Sequence, residues 1–190
     1  MLKLTYGYLI TDKNIYIFII CCRLSANIAE CLKSLFVLFA GHFIKHAAIL
    51  LSNNNPAIIE EPQEMTLPEE SSKIELVEAI LLTLYRVFSY DAHNFVSQER
   101  FEILAQPIVD QLENTLGSTE DYEKRASELV VPCIAAFASA IPDDSLHKQL
   151  VYQTLLKTRH TKPYIRTAAL NALVSESLYF VKLIVLIIIG

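Results

Sequence analysis

Apolar residues recur at intervals of three and four between positions 24 and 51. This period places them on one face of an α-helix. The face consists of Leu24, Ile28, Cys31, Leu32, Leu35 and Phe39. Gly41 interrupts the period, so residues 42–51 are predicted to form a second helix or a kinked extension of the first.

The same period continues in the second half of the chain and predicts further helices. Residues 73–90 carry an apolar face, and helical patterns follow over residues 97–116, 118–140, 146–158 and 164–175. Ser97 and Ser118 stand where N-caps are expected, and Gly117 stands at the predicted end of the helix that Ser97 begins. Pro107 and Pro132 lie inside two of these patterns, so each is predicted to kink or split its helix.

No segment of the middle of the chain alternates in the manner of a strand. Helices joined by short turns predict an all-α fold, a HEAT-like α-solenoid fragment of antiparallel helix pairs, with a compact helical bundle as the structural alternative. Prolines and clustered acids set residues 53–72 apart as a linker. The predicted organisation is an apolar N-terminal extension (1–23), a helical segment (24–52), an acidic proline-containing linker (53–72), HEAT-like helical repeats (73–177) and an apolar C-terminal tail (178–190).

Both ends are rich in β-branched residues and differ in composition from the middle. Neither apolar run reaches the roughly 20 residues that a spanning helix requires. One interpretation is that the two ends are products of an incorrect or truncated gene model attached to a genuine helical core. The competing interpretation is a C-terminal tail anchor, in which Lys182 would extend its ammonium to the membrane surface.

The composition narrows the range of functions. The chain has 190 residues, 53% of them hydrophobic, and a formal net charge of −5. It therefore has enough apolar material for a core, and a broad basic surface for nucleic acid is not expected. One short stretch is basic, and Lys157, Arg159 and Lys162 are candidate contacts with RNA phosphate or a protein partner. The alternative is a solvated turn between helices.

Nothing in the sequence favours catalysis, a cofactor or a metal. His42 and His46 are four apart, but a zinc-protease motif requires Glu at position 43, where Phe43 stands. The four cysteines show neither paired metal spacing nor an obvious disulfide framework, and four glycines leave little scope for a phosphate-binding loop. Cys133 lies in an apolar run beside Pro132 and is predicted to be a buried, inert thiol. The chain is predicted not to be an enzyme.

The segment 155–173 resembles the HEAT signature, in which a polar turn precedes a helix beginning Val/Ile-Arg-x-Ala-Ala. Here the pattern is Ile165-Arg166-Thr167-Ala168-Ala169. The resemblance implies that Arg166 bonds an acidic residue of a neighbouring turn. Asp143 and Asp144 are the expected partners, which together with Arg166 would form a structural repeat ladder.

Four segments also resemble one particular family in their combined order. They are LKSLFVLFAGH at 32–42, PIVDQLEN at 107–114, DDSL at 143–146 and YQTLLKTR at 152–159. They are similar to the C-terminal region of the large nucleolar HEAT-repeat proteins of the small-subunit processome, which are associated with the U3 small nucleolar RNA.

This resemblance implies a non-catalytic scaffold in ribosome biogenesis. The expected setting is the nucleolus of the nucleus, with roles in 18S pre-rRNA processing and pre-rRNA transcription. Processome proteins would be the partners, and U3 RNA and pre-rRNA would be reached through the complex. The alternatives are a generic helical-repeat adaptor between proteins and a small tail-anchored membrane protein.

Overall fold

The computed structural model describes the backbone of residues 15–58 and 69–189, and the side chains of residues 16–58 and 69–177. Within these ranges the chain forms helices and turns, and no strand. The helices are α1 (Ile15–Leu32), α2 (Ser34–Ala40), α3 (Ile44–Asn53), α4 (Glu70–Ser89), α5 (Gln98–Val109), α6 (Thr119–Arg125), α7 (Val131–Ala140), α8 (Asp144–Lys157) and α9 (Pro163–Ile189). A 3₁₀ turn (Asp110–Glu113) follows α5, and a π-turn (Ala126–Val130) joins α6 to α7.

The longer helices stack in two layers. In one layer α1 packs on α4, α4 on α7, and α7 on α9. In the other, α3 packs on α5 and α5 on α8. Successive helices alternate between the layers, so each helix contacts mainly its neighbours along the stack. This arrangement confirms the all-α, HEAT-like solenoid of antiparallel helix pairs that the sequence predicted.

The first helix begins earlier than the predicted boundary between positions 23 and 24. α1 starts at Ile15 and is continuous through that boundary. The reason is packing, since Phe18, Ile19 and Cys22 are buried against the core. The Thr83 hydroxyl of α4 also lies within hydrogen-bonding distance of two carbonyl oxygens, 2.9 Å from that of Cys22 and 2.8 Å from that of Ala79, and its one proton can go to either. Residues 15–23 thus belong to the helical stack, and residues 1–14 lie outside the described part of the chain.

The predicted N-caps are confirmed. The hydroxyl of Ser97 accepts a hydrogen bond from the backbone N–H of Arg100 at the start of α5. Ser118 and Asp121 form a reciprocal capping box at the start of α6, with Asp121 accepting from the backbone N–H of Ser118 at 3.0 Å. Both satisfy donors that a helix N-terminus leaves unpaired.

The two internal prolines have different effects. The helix from Thr119 to Ala140 does not break at Pro132 but widens into the π-turn immediately before it. A wider turn accommodates a residue that lacks an N–H and whose ring would clash with the preceding turn. Pro107 lies within α5, which ends two residues later, tightens into the 3₁₀ turn and does not continue to position 116 as predicted. Gly117 adopts φ +83° in the loop beyond.

The core is centred on three aromatic rings from three helices. Phe137 of α7 is completely buried, with its ring centroid 4.8 Å from that of Phe88 on α4 and 5.8 Å from that of Phe101 on α5. The cluster therefore joins both layers of the stack. Pairs at these separations add to the stabilisation from simple burial.

Two predicted segments fall largely outside the description. α3 ends at Asn53 and α4 begins at Glu70, and residues 59–68 of the predicted linker are not described. The backbone of α9 continues into the predicted tail as far as Ile189. The side chains of this tail lie outside the described part of the chain. Among the described residues, no single helix has the length and apolar composition to cross a membrane. One bent pair, α2 with α3 at 73°, meets those two criteria jointly.

Candidate interaction surfaces

Lys157 lies inside the stack at the end of α8. Its ammonium is 2.7 Å from a carboxylate oxygen of Asp110 and 2.7 Å from one of Glu113, both in the 3₁₀ turn. The Lys157 side chain is only 13% exposed. Burial alone would lower the pKa of Lys157, but the hydrogen bonds and charges of the two carboxylates raise it overall. This lysine joins α8 to the 3₁₀ turn, so its ammonium is already committed within the protein.

A buried polar network surrounds the same turn. Gln111 donates to the Leu51 carbonyl at 3.2 Å, and Asn55 donates to the Asp110 carbonyl at 2.9 Å. Arg125 is 2% exposed and donates from Nη2 to the carbonyls of Asn114 and Leu116, at 2.8 and 2.9 Å. These bonds hold α3, the 3₁₀ turn and α6 together. Sequence reasoning missed this network, although the polar run DQLEN within an apolar helical pattern was a signal for it.

The other two candidate contacts lie on the surface. Arg159 is exposed in the turn between α8 and α9. Lys162 is exposed in the same turn, with its ammonium 5.8 Å from the ring centroid of Tyr164. The structure therefore leaves Arg159 and Lys162 accessible to a partner and separates them in role from Lys157.

The predicted pairing of Arg166 with Asp143 or Asp144 is wrong. Arg166 donates to the carbonyls of His160 and Thr161 at 3.0 and 2.7 Å, which closes the turn ahead of α9. Asp143 caps α8 by accepting from the backbone N–H of Ser145 and Leu146. Asp144 forms a surface ion pair of 2.7 Å with Lys148. Each group finds a partner in its own segment, so no ladder between the turns is needed to satisfy these side chains.

Among the described residues, groups of large apolar side chains are exposed at both ends of the stack, and α2 exposes a further group of Leu35, Leu38 and Phe39. The group at one end, here called the α1 face, consists of side chains 45–63% exposed: Tyr16, Ile17, Ile20 and Leu24. The group at the other end, the α8–α9 face, consists of side chains 46–62% exposed: Tyr152, Leu155, Leu156, Leu170 and Val174. In a stack of repeats these are the surfaces that a further layer would cover. Clusters of this kind mark contact sites more reliably than single exposed residues.

A crevice of about 320 Å³ opens between the π-turn and α9. One side of the crevice is formed by α6, the π-turn and the start of α7, and the other side by α9. Its lining residues are Tyr122, Glu123, Ala126, Ser127, Val131, Tyr164, Thr167, Ala168 and Asn171. The rings of Tyr122 and Tyr164 meet edge to face with centroids 4.9 Å apart. Local π-turns are frequent at functional sites, so the crevice is a further candidate surface.

Glu176 on α9 is a buried carboxyl, only 1% exposed. The hydroxyl of Thr154 lies 3.1 Å from its Oε1 and 3.0 Å from the Leu150 carbonyl. A hydroxyl carries one proton, so when Thr154 donates to Leu150 the carboxyl must itself be protonated to complete the bond. Burial raises the pKa of Glu176 to about 7, although the Thr154 hydrogen bond opposes this. The carboxyl thus titrates near neutrality.

Replacing Glu176 with Gln should change how stability depends on pH. The folded chain holds the Glu176 proton more tightly than the unfolded chain, with a pKa of about 7 against 4.5. Wild-type stability is therefore full below about pH 4.5 and declines as the pH rises through 7. We expect Glu176→Gln to match wild type at pH 4 and to exceed it at pH 8 by roughly 3 kcal/mol, measured by urea unfolding. Parallel pH profiles for the two proteins would contradict this assignment.

Among the described residues, no group of three or more His, Cys, Asp and Glu side chains is placed to hold a metal ion. All four cysteines are free thiols. Cys22 and Cys133 are buried, and burial raises the pKa of both thiols, so neither is activated as a thiolate. The prediction of a buried, inert Cys133 is confirmed.

The comparisons with known proteins agree on one family. Residues 10–96 match the family model of the BP28CT (NUC211) domain, a range that ends just ahead of the cap of α5. The HEAT repeat-containing protein 1 of Macaca fascicularis is 46% identical over 148 residues, or 78% of this chain. That of Homo sapiens is also 46% identical over 148 residues. The HEAT repeat-containing protein 1 homolog of Drosophila melanogaster is 40% identical over 152 residues, or 80% of this chain.

These relatives are much longer than the chain. The matched region is 15% of the Macaca sequence and 7% of both the human and the Drosophila sequences. The match nevertheless takes in most of the helical stack. The activities and partners of the full-length relatives can therefore be assigned to this chain only by inference.

Proposed function

This chain belongs to the HEAT repeat-containing protein 1 family, and from that premise we propose that it is a non-catalytic scaffold segment in ribosome biogenesis. It would act in the nucleolus within the small-subunit processome, in 18S pre-rRNA processing and pre-rRNA transcription. Its direct partners would be processome proteins, with the U3 small nucleolar RNA and pre-rRNA reached through the complex. The resemblance of four sequence segments to the processome family supports this proposal.

The observation that carries the scaffold role is the pair of open apolar surfaces at the two ends of the stack. The α1 face and the α8–α9 face expose large side chains in contiguous groups, whereas the layers between them are buried. A solenoid binds through such extended surfaces and needs no enclosed active site. Association with other proteins is the function that this geometry supports best.

The charge distribution favours protein partners over direct binding of RNA. The predicted basic patch loses Lys157 to the internal ion pairs with Asp110 and Glu113. Arg159 and Lys162 remain, and two cations release few counterions from a phosphate backbone. RNA is therefore proposed to be held by the assembly as a whole.

Affinity purification of the tagged full chain from human cells tests this proposal. We expect the wild-type chain to enrich U3 RNA and pre-rRNA over a tag-only control. The double variant Ile20→Asp/Leu24→Asp should lose this enrichment, because charges on the α1 face would be desolvated in any apolar contact. Asn27→Asp is the control for added charge on α1, since it places one carboxylate, against two in the double variant, at an exposed polar position and should retain the RNA.

The possible outcomes separate the interpretations. Absence of U3 RNA and pre-rRNA from the wild-type purification would overturn the ribosome-biogenesis role. Recovery of the chain in a carbonate-resistant membrane fraction would instead support the tail-anchored alternative. Equal enrichment by the double variant and Asn27→Asp would show that the α1 face is not the contact surface.

A further inference from the structure

We propose that the crevice between the π-turn and α9 binds an arginine side chain of a partner protein. The proposal deepens the scaffold function, on which its biological setting rests, by naming what one surface recognises. It depends on the shape of the crevice, on the hydrogen-bonding capacity of its rim and on its charge.

The shape comes from the π-turn. Tyr122 and Ala126 are four residues apart and share a face of the helix, as α-helical spacing requires. Val131 lies on the same face although it is five residues beyond Ala126, which is the spacing of a π-turn. Ala126 and Val131 are nearly buried, at 5% and 9% exposure, and with Ala168 of α9 they make an apolar floor. Such a floor suits the aliphatic stem of a long side chain.

The hydroxyls at the rim present acceptors. Ser127 donates its only hydroxyl proton to the Lys124 carbonyl at 3.1 Å. Thr167 donates its proton to the Pro163 carbonyl at 3.1 Å. Each hydroxyl proton is used within its own helix, so the two hydroxyl oxygens can only accept hydrogen bonds from a bound ligand. A ligand rich in N–H donors is complementary to this rim.

The rim carries one carboxylate, and its charge has the matching sign. The side chain of Glu123 is exposed, lines the crevice and has no hydrogen bond or ion pair with any group that the structure describes. The ring of Tyr164 forms an adjacent wall, and the exposed Lys162 ammonium, 5.8 Å from that ring's centroid, is a cation that an incoming guanidinium must displace. Tyrosine faces attract cations, and a guanidinium combines this attraction with several directed donors. Arginine satisfies the floor, the acceptors and the carboxylate together.

NMR titration of the purified full chain with N-acetyl-arginine methylamide tests the proposal. We expect chemical-shift changes concentrated at the methyl groups of Ala126 and Ala168. The matching citrulline compound has almost the same shape and no charge, and it should bind at least about tenfold more weakly, since charge-assisted hydrogen bonds are roughly twice as strong as neutral ones. Larger shifts away from the crevice, or equal affinity for the two compounds, would overturn the proposal.

Two variants locate the interaction on Glu123. Glu123→Gln should weaken arginine binding about tenfold by removing the rim carboxylate. Glu120→Gln removes the same charge from an exposed position of α6 that does not line the crevice, and it should bind as wild type does. Equal losses in the two variants would reduce the effect to general electrostatics and overturn the site. The titration uses the chain alone, so its failure leaves the ribosome-biogenesis proposal standing, and loss of U3 enrichment leaves the crevice standing.

Discussion

Replacing Lys157 with alanine should lower the free energy of unfolding by about 4 kcal/mol, because it leaves two carboxylates without their cation. Asp110 and Glu113 are only 10% and 22% exposed, so water cannot fully replace the ammonium. The two acids would also repel each other across the 3₁₀ turn. Urea unfolding of the full chain at pH 7, followed by far-ultraviolet circular dichroism, measures the change.

Arg159→Ala is the matched control for Lys157→Ala. It removes a cation two residues away, at an exposed position, and should change stability by less than about 0.5 kcal/mol. The comparison also separates two roles for the basic stretch. If the Lys157 variant were as stable as wild type, the ion pairs would not be structural, and a surface role for this lysine would regain support.

Replacing Phe137 with alanine should cost a similar amount, about 4 kcal/mol, because the cavity would lie where three helices meet. The lost ring contacts Phe88 and Phe101, so both layers of the stack lose packing at once. The same urea unfolding experiment measures the loss. We also expect a lower melting temperature with little change in helix content at 25 °C.

Leu170→Ala provides the corresponding control for the core variant. Leu170 is 53% exposed on the α8–α9 face, so its removal leaves no cavity. Its unfolding free energy should stay within about 0.5 kcal/mol of wild type. A large loss for Leu170→Ala, or a small one for Phe137→Ala, would place the centre of the core elsewhere.

Features set by local interactions could be predicted from the sequence. The helix predicted over residues 73–90 is observed as Glu70–Ser89, because its apolar period matches the face that packs on α1 and α7. The caps at Ser97 and Ser118 depend on bonds to backbone groups three residues away. In both cases the information lies within one or two turns of the residue concerned.

Features that depend on distant residues could not be predicted in this way. The partners of Lys157 are more than forty positions away in sequence, and only the stacking of α8 on α5 brings the lysine to the 3₁₀ turn. Residues 15–23 resembled an unrelated extension because their composition differs from the middle, yet α4 supplies the surface that buries them. The predicted partners of Arg166 were wrong for the opposite reason: two carbonyls close to it in sequence accept its hydrogen bonds in place of the more distant acids.

The π-turn between α6 and α7 also bears on how the length of this helix can change. A π-turn holds one more residue than the α-helical turn it replaces, while the segments on either side keep their orientation. Deleting one residue among Ala126–Val130 would restore an ordinary turn and leave Ser118 and Phe137 facing their present neighbours. Elsewhere in the helix the same deletion would rotate every later side chain by about 100°. A single-residue deletion can therefore be absorbed at this position without dismantling the stack.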